Sequence, residues 1–306
     1  MLLYTTVQIY AECRKGYNVS SFILDNKHNK KLQGEILSLL VEFDRICRKH
    51  DIKYYLACGT LLGAVRHKGF IPWDNDGDVE LMREDYNKLV EVCQKEENDR
   101  FFFQDWSTDK EYRWPYGKLR IKNTSYIRPF QAGMKHKDGI CIDVFVLDNL
   151  PESYVVQKMM EFGAMICRKI GWSPVGATCV RNPFQRALFK VASKIPYEII
   201  TKLYTKIVGW CHNSKSTAVG FFNTGMGNVD EFIFQRSWYE ESVELDFEGY
   251  KFWAPKGYDG ILRNKYHDYM QLPPKEKQVG SSEAEFIRFS DGEEIDFTRD
   301  NRRKVL

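Results

Sequence analysis

The chain has 306 residues, of which 43% are hydrophobic and 28% charged. It is long enough to bury a substantial core and too apolar to remain disordered. A net charge of +3 excludes a polyelectrolyte surface over the whole molecule, so an anionic partner has to be met by a local patch. The eight cysteines form no Cys-x-x-Cys pair and are too sparse for a disulfide scaffold. They read as buried thiols in a reducing, cytoplasmic compartment. Met1 to Val7 lacks a basic leader, and no run of eighteen apolar residues follows, so neither a signal peptide nor a membrane-spanning helix is expected.

Residues 1–29 read as an N-terminal extension, and a catalytic core is expected over 30–150. From Lys31 to His50, Leu32, Ile36, Leu39, Leu40, Phe43, Ile46 and Cys47 recur at three- and four-residue steps, which predicts an amphipathic helix. Tyr54 to Cys58 reads as a short strand closing on Gly59-Thr60, and Leu61 to Arg66 as a short helix. A loop then leads to Asp76–Met82, which alternates like a strand, and Arg83 to Gln94 returns to helical spacing. Gly139 to Leu147 is a nearly continuous apolar run holding one carboxylate, Asp143. A buried strand has this composition, and an ionised Asp within it needs a partner or a metal. The fold class is α+β, a mixed β-sheet flanked by helices with a helical and loop-rich C-terminal region.

Residues 151–278 are expected to pack on the core as a helical and aromatic acceptor-side region. Within it, 155–215 is helical and basic, and Val243 to Trp253 predicts a hairpin turning at Glu248-Gly249. Residues 279–306 read as a polar, poorly ordered tail.

The chemistry concentrates in Asp74-Asn75-Asp76-Gly77-Asp78. On an extended strand its three carboxylates would project from one face and repel one another. A divalent cation relieves that repulsion, and an all-oxygen ligand set points to Mg²⁺ or Mn²⁺, with Asp143 arriving from a separate strand. The motif alone also fits a solvated acidic turn. A calcium loop fits poorly, because Val79 stands where that loop requires glycine and Asp85 where it requires glutamate. Gly59-Thr60, between a strand and a helix, would let backbone N–H groups approach a phosphate. Strand, Gly-Thr, helix, Asp-x-Asp and a later third Asp is the order found in the nucleotidyltransferase superfamily.

The stretch Gly59–Asp78, GTLLGAVRHKGFIPWDNDGD, resembles the signature block of the LicD family, which is related to fukutin. Trp114–Arg120 (WPYGKLR), Ile142–Phe145 (IDVF), Ala254–Tyr258 (APKGY) and Tyr269–Pro274 (YMQLPP) extend the likeness over roughly residues 30–278. The family pattern usually has Asp where this chain has Asn75 and an apolar residue where it has Gly77, and the histidine-containing tail often found after the Pro-Pro segment is absent. The resemblance implies transfer of a phosphorylated alcohol from a cytidine-diphosphate donor to a sugar hydroxyl. Phosphorylcholine carried to lipopolysaccharide, capsule or teichoic acid is the first expectation. By position, Asp76, Asp78 and Asp143 would hold metal, with Asp74 a nearby carboxylate. Gly59, Thr60, Arg66, Lys118 and Arg120 would meet the phosphates. Trp73, Trp114 and Tyr116, with Trp238 and Trp253, are candidates for an aromatic cage around a quaternary ammonium, and ordinary core packing is the alternative for each.

Two other functions remain open: nucleotidyl transfer with release of pyrophosphate, and a non-catalytic glycan- or nucleotide-binding protein. The basic segment 168–206 fits peripheral contact with an anionic membrane carrying a lipid-linked acceptor, or an ordinary solvated helix face. Nucleic acid is not expected as a partner, because the basic residues form no recognisable module.

Overall fold

A computed structural model describes residues 23–96, 98–211, 216–222, 232–278 and 284–298. Helix α1 (Asn26–Lys49) begins at Asp25, whose side chain accepts from the His28 N–H, and ends in Arg48 and Lys49, which suit the negative end of the helix dipole. Its stripe from Leu32 to Cys47 is buried as the periodicity predicts. Strand β1 (Tyr55–Leu56) is short, and helix α2 (Cys58–His67) starts earlier than the pattern suggests. Gly59 and Thr60 therefore lie in its first turn. Strand β2 is Asp78–Met82, followed by α3 (Arg83–Lys95), β3 (Phe101–Gln104), β4 (Gly117–Ile121), β5 (Ser125–Ile127) and β6 (Cys141–Asn149).

The main sheet has the order β1-β2-β6-β4-β3. Among the described residues, the central β2–β6 pair is parallel, whereas β1–β2, β4–β6 and β3–β4 are antiparallel. The far end of β6 also pairs with β7 (Ala218–Gly220), and β7 pairs with β8 (Ile233–Gln235). Helix α1 lies across β4 and β6. Leu32, Leu39, Val79, Ile142 and Val144 are removed from water in one continuous core, each worth about 2 kcal/mol on transfer.

The region after residue 150 divides in two. Helices α4 (Tyr154–Gly171), α5 (Ser173–Cys179), α6 (Pro183–Ala192) and α7 (Tyr197–Val208) follow, with α4 and α7 built around a small core of their own that includes Met160, Ala164, Cys167, Ile200 and Tyr204, on which Trp106 packs. The hairpin of β9 (Ser242–Phe247) and β10 (Tyr250–Pro255), followed by α8 (Tyr258–Tyr266), joins the main core instead. Phe247 meets Phe70 with ring centroids 4.8 Å apart. Glu248 and Gly249 turn that hairpin with φ of 49° and 83°, as expected of a tight turn with left-handed residues.

The expected polar tail is corrected over 284–298. Strands β11 (Phe286–Arg288) and β12 (Glu294–Asp296) form an antiparallel pair that docks on β5. Ile287 and Phe289 are fully buried in the main core, and a few apolar side chains suffice to hold an otherwise charged hairpin there. Residues 1–22, most of the expected extension, and 299–306 lie outside the described residues. Among the described residues, no helix is long and apolar enough to cross a membrane.

Candidate active site

The site forms at the start of the central parallel pair. Asp78, the first residue of β2, stands in register with Asp143 on β6, and Asp143 stands in register with Lys118 on β4. Three neighbouring strands thus bring two carboxylates and an ammonium into one row. Lys118 is buried and its Nζ donates directly to Asp143 Oδ1. It also lies 5.2 Å from the centre of the Tyr116 ring.

Backbone contacts tie the row to α2. The Asp78 N–H donates to Thr60 Oγ1 at 2.9 Å, and the Ala57 N–H donates to the Asp78 carbonyl at 3.0 Å. Thr60 therefore fixes the helix against the strand. Gly59 is where the backbone passes the Asp74 carboxylate: a Cβ there would lie 2.6 Å from Asp74 Oδ2. Cys58 has φ of 48°, uncommon for a residue other than glycine and of the kind that gathers at functional turns.

Asp78 alone of the three motif carboxylates lies in the strand. Residues 74–77 are irregular, Asn75 is buried, and Asp76 is exposed. Gly77 explains the path. A Cβ there would fall 2.7 Å from Ile36 Cγ2 and 2.8 Å from Ile142 Cγ2, and its carbonyl accepts from the Asp143 N–H at 2.8 Å. An apolar side chain at this position does not fit this packing.

The electrostatics follow from the row. Burial, reinforced by the Asp143 and Asp74 carboxylates, pushes the Asp78 carboxyl well above its ordinary value, against Lys265 and Lys118. Burial works against ionised Asp143 too, but Lys118, Arg128 and Arg120 outweigh it and hold that carboxyl below the usual range. Two carboxylates in register, one of them beside a buried ammonium, are a donor set that a hard cation would complete. Mg²⁺ characteristically takes one or two carboxylates, with water and substrate phosphate filling the other positions. Asp78 and Asp143 fit that requirement, with Asp76 on the adjoining loop. Among the described residues, no three His, Cys, Asp or Glu groups converge closely enough to hold an ion.

The other predicted residues are dispersed. Arg120 is buried beside the row, but its guanidinium donates to Gln104 Oε1 at 2.5 Å and to the Gly139 carbonyl at 2.6 Å. Arg66 donates to the Tyr269 carbonyl at 2.7 Å, anchoring the segment after α8. Trp114 and Tyr116 share a cluster with Ala57 and Phe145 beside the start of α2. Trp73 packs edge-on to His67, Trp253 tilts over Tyr54, and Trp238 lies against Gly257 and Gly260. The five aromatic candidates therefore do not form one cage.

Lys265 was not foreseen. Its Nζ lies 2.9 Å from Cys58 Sγ and 4.7 Å from the Phe232 ring centre, and its charge acts on Asp78. Burial opposes its ammonium, yet Cys58, Tyr266 and Asp78 hold it above its ordinary value. Burial also pushes the Cys58 thiol up to about 12, so Cys58 is a neutral partner rather than a nucleophile. Glu80, two residues beyond Asp78, accepts from the Tyr239 hydroxyl at 2.9 Å, and burial raises its carboxyl to about 7. The signal for Lys265 was present in the spacing Tyr258, Ile261, Leu262, Lys265, which places the lysine on the buried face of α8.

Residues 51–160 match the family model described as LicD/FKTN/FKRP, nucleotidyltransferase domain. The chain is 27% identical over 246 residues to the lipopolysaccharide cholinephosphotransferase LicD of Haemophilus influenzae, covering 79% of this chain and 91% of that protein. It is also 33% identical over 136 residues to an uncharacterised protein of Rickettsia typhi, covering 33% of this chain and 44% of that one. An uncharacterised protein of Rickettsia prowazekii is 42% identical over 57 residues, 19% of this chain and 21% of its own length. With the signature block on α2 and β2, and Asp143 and Lys118 brought beside it, residues 51–160 of the chain are similar to the nucleotidyltransferase domain of the LicD family of phosphotransferases.

Proposed function

We propose that this protein transfers a phosphorylated alcohol, with phosphorylcholine as the first candidate, from a CDP-activated donor to a sugar hydroxyl of a cell-surface glycan and releases CMP. The observation that carries the reading is the register of Asp78 with Asp143 on adjacent parallel strands. The choice of phosphorylcholine and of a lipopolysaccharide acceptor is supported by the name of the Haemophilus influenzae relative. The seven described cysteines are free, which fits the cytoplasmic side, with capsule or teichoic acid as other acceptors.

Mg²⁺ or Mn²⁺ held by Asp78 and Asp143, with Asp76 completing the set, would neutralise pyrophosphate charge and favour departure of CMP. Lys118 sets the charge of Asp143 and presents an ammonium at the edge of the row. Thr60 holds β2 against α2, so Asp78 keeps its place as substrate binds. Lys265, from α8, supplies a second cation whose charge acts on Asp78. Such groups act by position and field, because phosphoryl transfer asks little covalent chemistry of the protein.

The test is incubation with CDP-choline, CDP-ribitol, CDP-glycerol or CDP-ethanolamine, Mg²⁺ and a glycan acceptor, scored for CMP and pyrophosphate. CMP release with one donor is expected. Pyrophosphate in its place would identify nucleotidyl transfer, and neither product with any donor would identify a binding protein.

A further inference from the structure

Exposed apolar side chains are not spread evenly over this protein. Of fifteen large hydrophobic residues that are exposed among the described residues, eleven lie between Tyr154 and Trp210, on the helical unit. They are ordered along each helix. On α4, Val155, Met159, Phe162 and Ile166 follow steps of four, three and four residues, so they form one stripe. Phe162 is 52% exposed and Met159 65%. On α7, Ile199 and Leu203 make a similar stripe that continues to Trp210, 72% exposed. The two helices run antiparallel, since Gly171 approaches Tyr197 while Gly163 approaches Ile207. Their opposite faces form the small core, so these stripes are left over after packing.

Helix α6 makes the point more sharply. It is mostly apolar, and not one of its ten residues is buried. Phe184, Leu188 and Val191 repeat at helical spacing on its exposed side, with Arg186 and Lys190 exposed among them. A helix of this kind loses free energy in water and gains it at a surface that accepts both apolar and cationic groups.

The charge identifies the surface. Residues 153–211 carry nine Lys and Arg against two carboxylates, in a chain whose total is +3. The remainder of the molecule is therefore net acidic. Arg181, Arg186, Lys190, Lys194, Lys202 and Lys206 are all exposed. A second copy of the chain meeting these stripes would bring like charges together. An anionic bilayer instead matches both features, with cations at the headgroups and Trp210 and Tyr154 at the interface, where amphipathic rings settle.

We infer that the exposed apolar and basic stripes of α4, α6 and α7 are membrane-docking surfaces that seat the protein on anionic lipid. Their exposed side chains are none of those that make the Asp78–Asp143 row. Their consequence for catalysis, access to a lipid-linked acceptor, rests on the proposed transfer reaction.

The experiment is flotation of the full chain with vesicles of phosphatidylcholine alone or with about one third phosphatidylglycerol. CMP release from a soluble donor is followed in parallel as a separate readout. The protein is expected to float with the anionic vesicles and to be released by salt. M159E/F162E and L188E/V191E, each on an exposed stripe, are expected to weaken that binding about tenfold or more with unchanged circular dichroism and CMP release. No flotation with either vesicle, or flotation untouched by both pairs of substitutions, would overturn the docking surfaces. Equal binding to phosphatidylcholine alone would overturn their anionic partner. A dimer that these substitutions dissociate, without lipid binding, would assign the stripes to a second copy.

Discussion

Asp78 and Asp143 stand in direct register on the parallel strands β2 and β6, and Asp143 alone of the two is paired with Lys118 on its other side. The row is therefore asymmetric: one carboxylate is kept ionised by a buried lysine, and the other is pushed toward its neutral form by burial and by its neighbour. Substrate and cation binding would draw the second into the ionised state.

Lys118→Met leaves Asp143 beside Asp78 with its nearest cation gone. Removing one partner of a buried pair strands the other's charge, so stability at neutral pH is expected to fall by about 3 kcal/mol. K118M/D143N, which removes both charges, should recover most of that loss. Chemical denaturation of the two single variants and the double variant measures the coupling. Additive losses would show that the pair does not interact as described.

Lys265→Met tests the cation that the sequence reading missed. Its ammonium faces Cys58 and acts on Asp78 from a helix far along the chain. The expected result is a fall in kcat/KM of about tenfold to a hundredfold, with Lys265→Arg recovering part of it. Cys58→Ser is expected to retain most activity, because the thiol is neutral and supplies no nucleophile. Loss of melting temperature without loss of kcat/KM in K265M would make the lysine merely structural.

Gly77→Val introduces a branched side chain where even a Cβ would lie 2.7 Å from Ile36 and 2.8 Å from Ile142. Overpacking at such a point costs about 1–3 kcal/mol, and relief by backbone movement would shift Asp78 relative to Asp143. A lower melting temperature together with a lower kcat is expected. A fully stable and active variant would mean that the strand is looser than its packing implies.

His136 gives the fold a pH signature. Its ring lies tilted against Trp114 at a centroid distance of 5.1 Å, and its buried Nδ1 has no hydrogen-bond partner among the described residues. Burial, then Arg120, lowers its pKa to about 4, with Lys118 adding to the effect and Asp138 and Asp109 opposing it. An unfolded histidine titrates near 6.5. As pH falls below about 6.5 the unfolded chain takes up a proton that the folded chain refuses, so this contribution to stability is lost progressively down to about pH 4. Its size is about 1–3 kcal/mol for a half-buried ring. The melting-temperature difference between the wild type and His136→Gln should shift in favour of the variant over that interval; an unchanged difference would place the ring in water.

Much of the frame was legible because it rests on local periodicity. Helix α1 and strand β6 follow directly from apolar spacing, and Asp143 stood out as one carboxylate in an apolar run. What was not legible depends on contacts between distant segments. No local pattern states that Lys118 and Asp143 become partners across β4 and β6, or that Arg120 is occupied by Gln104 and the Gly139 carbonyl. The Asp74-Asp76-Asp78 spacing suggested one strand face, but Gly77 wedged between Ile36 and Ile142 lets only Asp78 enter the ladder. The hairpin at 284–298 was hidden by charge, because Ile287 and Phe289 secure it with little apolar sequence around them.

The most direct test of the account is CMP release from CDP-choline with Mg²⁺ and a glycan acceptor, measured for the wild type, Asp78→Asn and Asp143→Asn at equal folded concentration. CMP release by the wild type and a loss of at least about a hundredfold in kcat for each variant are expected, with melting temperature unchanged or raised in Asp78→Asn because a buried repulsion is removed. Undiminished CMP release by both variants would contradict this expectation.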